Sequence, residues 1–176
     1  MEVILVRHTS VDVPPGVCYG QTDVPLKNTF EKEAKEVMAR LDKYQPFDTV
    51  YTSPLTRCTQ LAAKCGYPNA IRDKRIMEIN FGEWEMQRYE KIKDPRLQEW
   101  YDNYLNVAAT GGESFMMQYK RVSGFLDEIK LLPYSKVALF THGGVLLCAQ
   151  IYAKQIKPEE AFGSLTPYGG VISISI

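Results

Sequence analysis

The stretch Ile4-Leu5-Val6-Arg7-His8 (ILVRH) joins a strongly apolar segment to two polar side chains. Residues Val3 to Val6 are all β-branched or aliphatic, and they predict a short, fully buried β-strand. Arginine and histidine are both costly to bury unless other groups pair with them. We therefore expect Arg7 and His8 to lie at the end of a buried strand, where partners or a ligand meet them.

Strands and helices alternate along the rest of the chain. Further strands are predicted in TVYTS from Thr49, in KVALFT before His142 and in the terminal VISISI. Helices are predicted after Asn28, after Ser53, from Ser114 to about Leu132 and in GGVLLCAQIYAK. This alternation favours an α/β fold, a three-layer α/β/α sandwich with a mostly parallel central sheet. The alternating VISISI is expected at or near an edge of that sheet, where an antiparallel strand fits.

Two helix starts carry capping signals. Asn28 with Glu31 three residues later predicts a capping box. Ser53 and Pro54 predict an N-cap followed by proline at the first helical position, and Gly66 predicts the end of that helix.

The length of 176 residues predicts a single domain, residues 1–176. Residues 9–28 form a long loop rich in Pro and Gly, and loops of that length are usually functional. Residues 83–113 are predicted to form a helical cap segment. Its aromatic residues either wall a substrate pocket or merely pack the cap: Trp84, Tyr89, Trp100, Tyr101 and Tyr104.

The amino-acid composition and charge limit the kinds of partner and location that we expect for this protein. Lys+Arg and Asp+Glu both number 21, so no overall charge directs the chain to nucleic acid or a membrane surface. The cysteines form no CxxC pair and no zinc spacing, and we expect reduced thiols in a cytoplasmic protein: Cys18, Cys58, Cys65 and Cys148. No apolar run is long enough for a signal peptide or a membrane span.

Polar residues recur where predicted strands end and helices begin. Arg7 and His8 follow the first strand, Arg57 lies in the helix after the second, and His142 ends a later strand just before Gly143. Ligands of parallel α/β sheets bind beyond the carboxyl ends of the strands. Guanidinium groups bind phosphate oxygens, and the helix start at Gly143 offers backbone N–H groups to an anion. Each residue alone has an ordinary structural explanation, but together they indicate a phosphate site.

The sequence argues against several other kinds of phosphate-processing site. Two arginines beside the histidines would repel a metal cation, so no metal and no other cofactor is expected. No cysteine has an arginine six residues later, as a cysteine phosphatase requires, and no P-loop or GxGxxG turn occurs. A histidine nucleophile remains, because histidine is a known covalent catalyst.

Five motifs together carry a resemblance to a known family: VRHTS, SPLTRCTQLA, MEINFGEWE, GGES and LFTHGG. In this order they resemble the histidine phosphatase superfamily, which has the phosphoglycerate-mutase-like fold. The resemblance implies that His8 is transiently phosphorylated and that Arg7, Arg57 and His142 bind the phosphoryl group. It also implies that Glu78 protonates the leaving oxygen, whereas the residues alone do not choose among Glu78, Glu83 and Glu85.

The chain departs from the family pattern at several positions. Thr9 and Ser10 replace the usual Gly and Glu after Arg-His, and Met86 stands where many members have Gly. An asparagine common in the family has no counterpart here. Gln21 is the candidate for a replacement phosphate or substrate contact.

The substrate is expected to be a small phosphomonoester, and the sequence makes no prediction of oligomeric state. The short chain favours a phosphatase over a mutase, and the tract YGQTDVPL resembles the α-ribazole-5′-phosphate phosphatases of cobalamin assembly. Three alternatives remain open: a broad-specificity small-molecule phosphatase, a phosphoglycerate mutase of this fold, and an inactive phosphate-binding module.

Overall fold

The computed structural model describes residues 1–176, and its centre is one five-stranded sheet. The strands are β1 (Glu2–Arg7), β2 (Thr49–Thr52), β3 (Ile71–Arg72), β4 (Lys136–Thr141) and β5 (Val171–Ser175). Their order is β3-β2-β4-β1-β5, with β5 antiparallel to β1 and all other pairs parallel. The predicted parallel sheet and its antiparallel edge strand are thus confirmed. Strand β3 was not predicted, because two residues are too few to produce a periodic pattern.

Helices cover both faces of the sheet. They are α1 (Phe30–Leu41), α2 (Thr56–Lys64), α3 (Arg96–Asp102), α4 (Phe115–Ile129) and α5 (Gly143–Tyr152). Because side chains alternate along a strand, Ile4 and Val6 of β1 pack with α1 and α2 on one face. Val3 and Leu5 pack with α4 and α5 on the other face. The predicted three-layer sandwich is confirmed. None of these helices has the length and apolar character needed to cross a membrane.

The predicted capping box at Asn28 and Glu31 is wrong. Helix α1 begins at Phe30, with Thr29 at the N-cap position and no side-chain capping bond. The carboxylate of Glu33, rather than that of Glu31, forms hydrogen bonds at this helix start. It accepts from the backbone N–H of Ser10 at 2.8 Å and from the hydroxyl of Thr29 at 2.6 Å. The first turn of α1 is therefore tied to the long loop.

The start predicted for the second helix at Ser53-Pro54 is also wrong, since α2 begins at Thr56 with Leu55 at the N-cap position. The Ser53 hydroxyl accepts a long bond from the backbone N–H of Leu55 at 3.4 Å and contacts His142 at 2.7 Å. The end of the helix is confirmed: Gly66 has φ +94° and follows the last turn, a left-handed conformation that glycine adopts without strain.

Within the expected helical cap, residues 83–113, α3 is the one α-helix. The segment packs around its own small core of Cys18, Trp84, Leu97, Trp100 and Ala109. This core lies beside the carboxyl ends of the strands, where β1 and β4 deliver their terminal residues.

Candidate active site

Three strand-to-helix junctions meet at one point, as predicted. Arg7 and His8 end β1, Arg57 lies in the first turn of α2, and His142 links β4 to α5. Three of these side chains are almost completely buried, since His8 is 2% exposed and Arg57 and His142 are 0% exposed, whereas Arg7 is half-buried. The imidazole rings of His8 and His142 lie 5.2 Å apart, centroid to centroid.

The His8 ring is held in one tautomer. Its Nδ1 lies 2.7 Å from the carbonyl oxygen of Thr9. A carbonyl oxygen only accepts, so Nδ1 carries the hydrogen and Nε2 keeps a free lone pair. Burial, followed by the charge of Arg57, lowers the pKa of His8 to about 3, although the bond to Thr9 opposes this and Arg7 adds to it. His8 is therefore a neutral imidazole with an available nucleophilic nitrogen.

Arg7 offers an unused donor beside His8. One of its terminal nitrogens donates to the carbonyl oxygen of Thr166, and its guanidinium lies 4.1 Å from the centre of the Tyr168 ring. Its Nε is buried and has no hydrogen-bond partner. A Cβ at Gly143 would lie 3.2 Å from the Cζ and Nε of Arg7 and 2.7 Å from Leu165 Cδ1, so glycine lets the start of α5 approach Arg7 closely.

Arg57 is a fully buried cation held by neutral groups. It donates to the carbonyl oxygens of Thr22, at 2.9 Å, and Gly20, and its Nε donates to His142 Nδ1 at 3.3 Å. Neither Arg57 nor Arg7 forms an ion pair with a carboxylate. A buried charge without a counter-ion is unfavourable, so the two guanidiniums together favour binding of an anion.

His142 has protein partners at both ring nitrogens. Because Nδ1 accepts from Arg57, Nε2 carries the hydrogen and donates to Ser53 Oγ at 2.7 Å. Burial, and then the charge of Arg57, lowers the pKa of His142 well below its ordinary value. His142 thus orients Arg57, while its direct contact with phosphate stays a prediction. Sequence reasoning assigned Ser53 to a helix cap and missed this contact.

Glu78 lies on the same cavity as His8. Its Oε1 accepts from the backbone N–H of Ile79 at 3.0 Å and from Gln118 Nε2 at 2.9 Å. Its Oε2 accepts from the N–H of Gly144, in the first turn of α5, at 3.2 Å. The carboxyl group is thereby held at the start of the helix that follows His142.

The other carboxylates in this part of the chain, Glu83, Glu85 and Glu113, do not line the cavity. Glu83 is exposed, and Glu85 accepts from the backbone N–H groups of Gln21 at 2.8 Å and Thr22 at 2.6 Å. Glu113 forms an ion pair with Arg121 at 2.8 Å. Among these acids only Glu78 lines the cavity, which is a choice that the residues alone did not allow.

The cavity beside His8 has a volume of about 240 Å³ and a strongly aromatic wall. Its charged and titratable lining consists of Arg7, His8 and Glu78, together with tyrosine hydroxyls. The aromatic lining residues are Tyr19, Phe81, Tyr89, Trp100, Tyr104, Phe115 and Phe162. Of the five aromatics considered from sequence, Tyr89, Trp100 and Tyr104 face the cavity. Trp84 is buried in the cap, donating to Asp94 at 2.8 Å, and Tyr101 is 54% exposed.

Gln21 and Gly143 occupy different positions relative to this cavity. The side-chain amide of Gln21 donates to the backbone carbonyl of Glu78 at 3.1 Å, and Gln21 does not line the cavity. Its role as a substrate contact stays a prediction. Gly143 does line the cavity, at the N-terminal end of α5, where helices favour anions.

Two tyrosines from distant parts of the chain meet beside the site: Tyr168 lies next to His8, and Tyr19 lines the same cavity as His8. The hydroxyls of Tyr19 and Tyr168 form a hydrogen bond, and the Tyr168 ring lies 5.5 Å from the His8 ring. Sequence reasoning assigned no role to either: Tyr168 lies in an irregular segment with no motif around it, and Tyr19 begins the YGQTDVPL tract, which was used only for its resemblance.

These residues define a class of site: a neutral imidazole with a free ring nitrogen, two guanidiniums without carboxylate partners and a carboxyl group, at the carboxyl edge of a parallel sheet. No group of three or more His, Cys, Asp or Glu side chains is arranged to hold a metal ion. A site of this kind is suited to phosphoryl transfer through a histidine. Residues 3–176 match the model of the histidine phosphatase superfamily (branch 1), and the chain belongs to that family.

Relatives in this family carry different activities. Phosphoserine phosphatase 1 of Hydrogenobacter thermophilus is 31% identical over 137 residues, which are 74% of this chain and 64% of that protein. The α-ribazole phosphatase of Shigella flexneri superposes with a TM-score of 0.89 at 22% identity, covering 100% of this chain and 91% of that one. A phosphoglycerate mutase of Thermus thermophilus has a TM-score of 0.76 at 29% identity, covering 99% and 93%. The chain therefore spans less than two thirds of the first of these relatives.

Proposed function

We propose that the protein hydrolyses phosphomonoesters through a phosphohistidine at His8. The observation that carries the proposal is the neutral imidazole of His8, which has a free Nε2 and lies beside two guanidiniums without carboxylate partners. Arg57 is fully buried, and Arg7 is half-buried with a buried Nε that has no hydrogen-bond partner. A phosphate monoester supplies the missing negative charge, and it places phosphorus next to the nucleophile.

The reaction then has two steps. His8 Nε2 bonds to phosphorus while the bond from phosphorus to the ester oxygen breaks, and Glu78 gives its proton to that oxygen. Water next attacks the phosphohistidine as the Glu78 carboxylate takes up a proton from the water. The phosphorus–nitrogen bond breaks, which releases phosphate and restores neutral His8. The Thr9 carbonyl supports the Nδ1 hydrogen throughout.

Trapping of the intermediate tests this mechanism. We expect rapid quenching of turnover under alkaline conditions, where phosphohistidine survives, to leave one labelled phosphoryl group on His8. His8→Ala is expected to lose both the label and the turnover, because no other imidazole in the site has a free nitrogen. Near-normal turnover by folded His8→Ala protein would refute the mechanism.

For the substrate we propose α-ribazole 5′-phosphate. The leaving group of this ester is an uncharged nucleoside with a flat aromatic base, and it suits a cavity with seven aromatic lining residues. Phosphoserine and phosphoglycerate each carry a carboxylate. The one arginine or lysine on the cavity is Arg7, which binds the phosphate in this proposal, and a substrate carboxylate would face Glu78. The likeness in fold to α-ribazole phosphatases adds support.

Phe162→Ala tests this assignment. Phe162 lies on the cavity but is 61% exposed, so its loss costs the fold little. Loss of stacking on a base costs about 1–3 kcal/mol, so KM for α-ribazole 5′-phosphate is expected to rise at least about fivefold. KM for ribose 5-phosphate, which has no base, should change little. Tyr101→Ala, exposed and outside the cavity, is the control.

Two results would contradict the assignment. One is an equal rise in KM for both esters in Phe162→Ala. The other is a higher kcat/KM for phosphoserine or 3-phosphoglycerate than for α-ribazole 5′-phosphate in the unmodified protein.

A further inference from the structure

Gln118 is a buried amide directly against the carboxyl group of Glu78. It lies in the first turns of α4, is 0% exposed and lines the cavity. A Cβ at Gly144 would lie 2.8 Å from its Oε1 and 2.9 Å from its Nε2. The amide is therefore packed tightly between the start of α5 and Glu78, with little freedom to move.

The direction of its hydrogen bond follows from chemistry. Gln118 Nε2 donates to Glu78 Oε1 at 2.9 Å, and Oε1 accepts this bond both in the ionised carboxylate and in the acid that carries its proton on Oε2. The other end of the amide, Oε1, is buried and has no partner. An unpaired buried carbonyl oxygen is unfavourable, and an apolar side chain of similar length would avoid it. Packing alone does not account for an amide at this position.

The two oxygens of Glu78 differ in their contacts. Oε1 accepts from both Ile79 and Gln118, whereas Oε2 accepts only the longer bond from Gly144 N–H. We infer that Gln118 is a positioning residue, which holds Oε1 as an acceptor so that Oε2 exchanges the proton with the leaving oxygen. This inference rests on the proposed role of Glu78 as the acid.

The test compares two substrates with different leaving groups, both measured on the same sample of protein. Ribose 5-phosphate has a strongly basic leaving oxygen and needs a proton, whereas p-nitrophenyl phosphate needs little protonation. Glu78→Gln should lower kcat/KM for ribose 5-phosphate by about 10²–10⁴-fold and affect p-nitrophenyl phosphate far less. Gln118→Met, which keeps length but removes the amide, should show the same selective loss, on the order of 10- to 100-fold.

Gln150→Met is the matched control. Gln150 lies in α5, also has a buried amide oxygen without a partner, and does not line the cavity. We expect it to leave the ratio of the two kcat/KM values unchanged. Because both rates are measured on one sample, the ratio cancels the folded fraction, and Gln118→Leu replaces Gln118→Met if the latter gives no folded protein.

The possible results distinguish the positioning role of Gln118 from the acid role of Glu78. A selective loss in Glu78→Gln with no selective loss in the Gln118 variants overturns the positioning role alone. Equal losses on both substrates in the Gln118 variants also overturn it, since they indicate a purely structural role. If Glu78→Gln itself lacks selectivity, the proposed acid is wrong and the inference fails with it.

Discussion

At the scale of single residues, the two histidines are kept neutral by burial and by the neighbouring guanidinium that the proposed function assigns to phosphate binding. Burial removes water from the imidazoles of His8 and His142, and the Arg57 guanidinium disfavours a second positive charge. The same features that leave His8 Nε2 free to attack make protonation of the folded protein costly. Burial and the charge of Arg57 therefore both leave His8 Nε2 unprotonated and make the folded protein sensitive to acid.

The stability of the protein should fall between pH 6.5 and pH 5. The ordinary pKa of histidine is 6.5, and that of His8 in the folded protein is about 3. Between these values the unfolded chain binds a proton that folded His8 does not, so the free energy of unfolding decreases as pH falls. The slope approaches about 1.4 kcal/mol per pH unit for each such histidine. Urea denaturation from pH 7 to pH 5 in phosphate-free buffer measures it.

His8→Gln provides the comparison, because glutamine does not titrate. We expect the variant to show a slope smaller by about one bound proton in the same pH range, leaving only the part due to His142. Carboxylates contribute little above pH 5. An unchanged slope in His8→Gln would mean that His8 is protonated in the folded protein.

At the scale of elements, the long loop of residues 9–28 holds Arg57 in place. The carbonyls of Gly20 and Thr22 accept its hydrogen bonds, and Glu85 holds this part of the loop through the N–H groups of Gln21 and Thr22. A Cβ at Gly20 would lie 1.9 Å from the carbonyl oxygen of Ile79, so the loop packs directly on the segment that carries Glu78. The loop is thus part of the site.

Glu85→Gln should loosen this loop. The Glu85 carboxylate accepts from Gln21, Thr22 and Phe81. Burial by itself raises its pKa, but these hydrogen bonds outweigh burial and lower it. A glutamine would turn an NH₂ group toward N–H donors, so we expect a loss of about 1.5–3 kcal/mol in the free energy of unfolding at pH 7, together with lower kcat/KM. Chemical denaturation measures the loss.

Glu83→Gln is the control for this prediction. Glu83 is exposed two positions away, and such substitutions usually change stability by less than about 0.5 kcal/mol. Equal stabilities of the two variants would show that Glu85 does not hold the loop.

At the scale of the whole molecule, the site lies where three layers and a cap meet. The parallel strands β1, β2 and β4 bring their carboxyl ends to one edge, and the helices that follow β2 and β4 start there. The cap core around Trp84 and Trp100 adds the aromatic wall opposite. In the proposed function, phosphate binding is therefore assigned to the sheet edge and leaving-group recognition to the cap.

The strand order of the sheet explains why part of this arrangement was predictable. Apolar runs that end in Arg7, His8 and His142 identify buried parallel strands, and parallel strands place their carboxyl ends together. Arg57 follows by the same rule, since it begins the helix after β2. These four residues needed only local pattern and topology. Ser53, the partner of His142, and Gln118, the partner of Glu78, needed the folded chain, because a hydroxyl near a helix start and a glutamine in a helix have many ordinary uses.

The sequence by itself determined the α/β class, the antiparallel edge strand and the gathering of two imidazoles and two guanidiniums, because hydrophobic periodicity and parallel topology are encoded locally. Tertiary structure decided which carboxylate lines the cavity. Without the family resemblance, the sequence does not choose among Glu78, Glu83 and Glu85, and packing against Gly144 and Gln118 brings Glu78 to the cavity. The physical reason is that contacts between residues 40 and 66 positions apart form only when the layers close around the sheet.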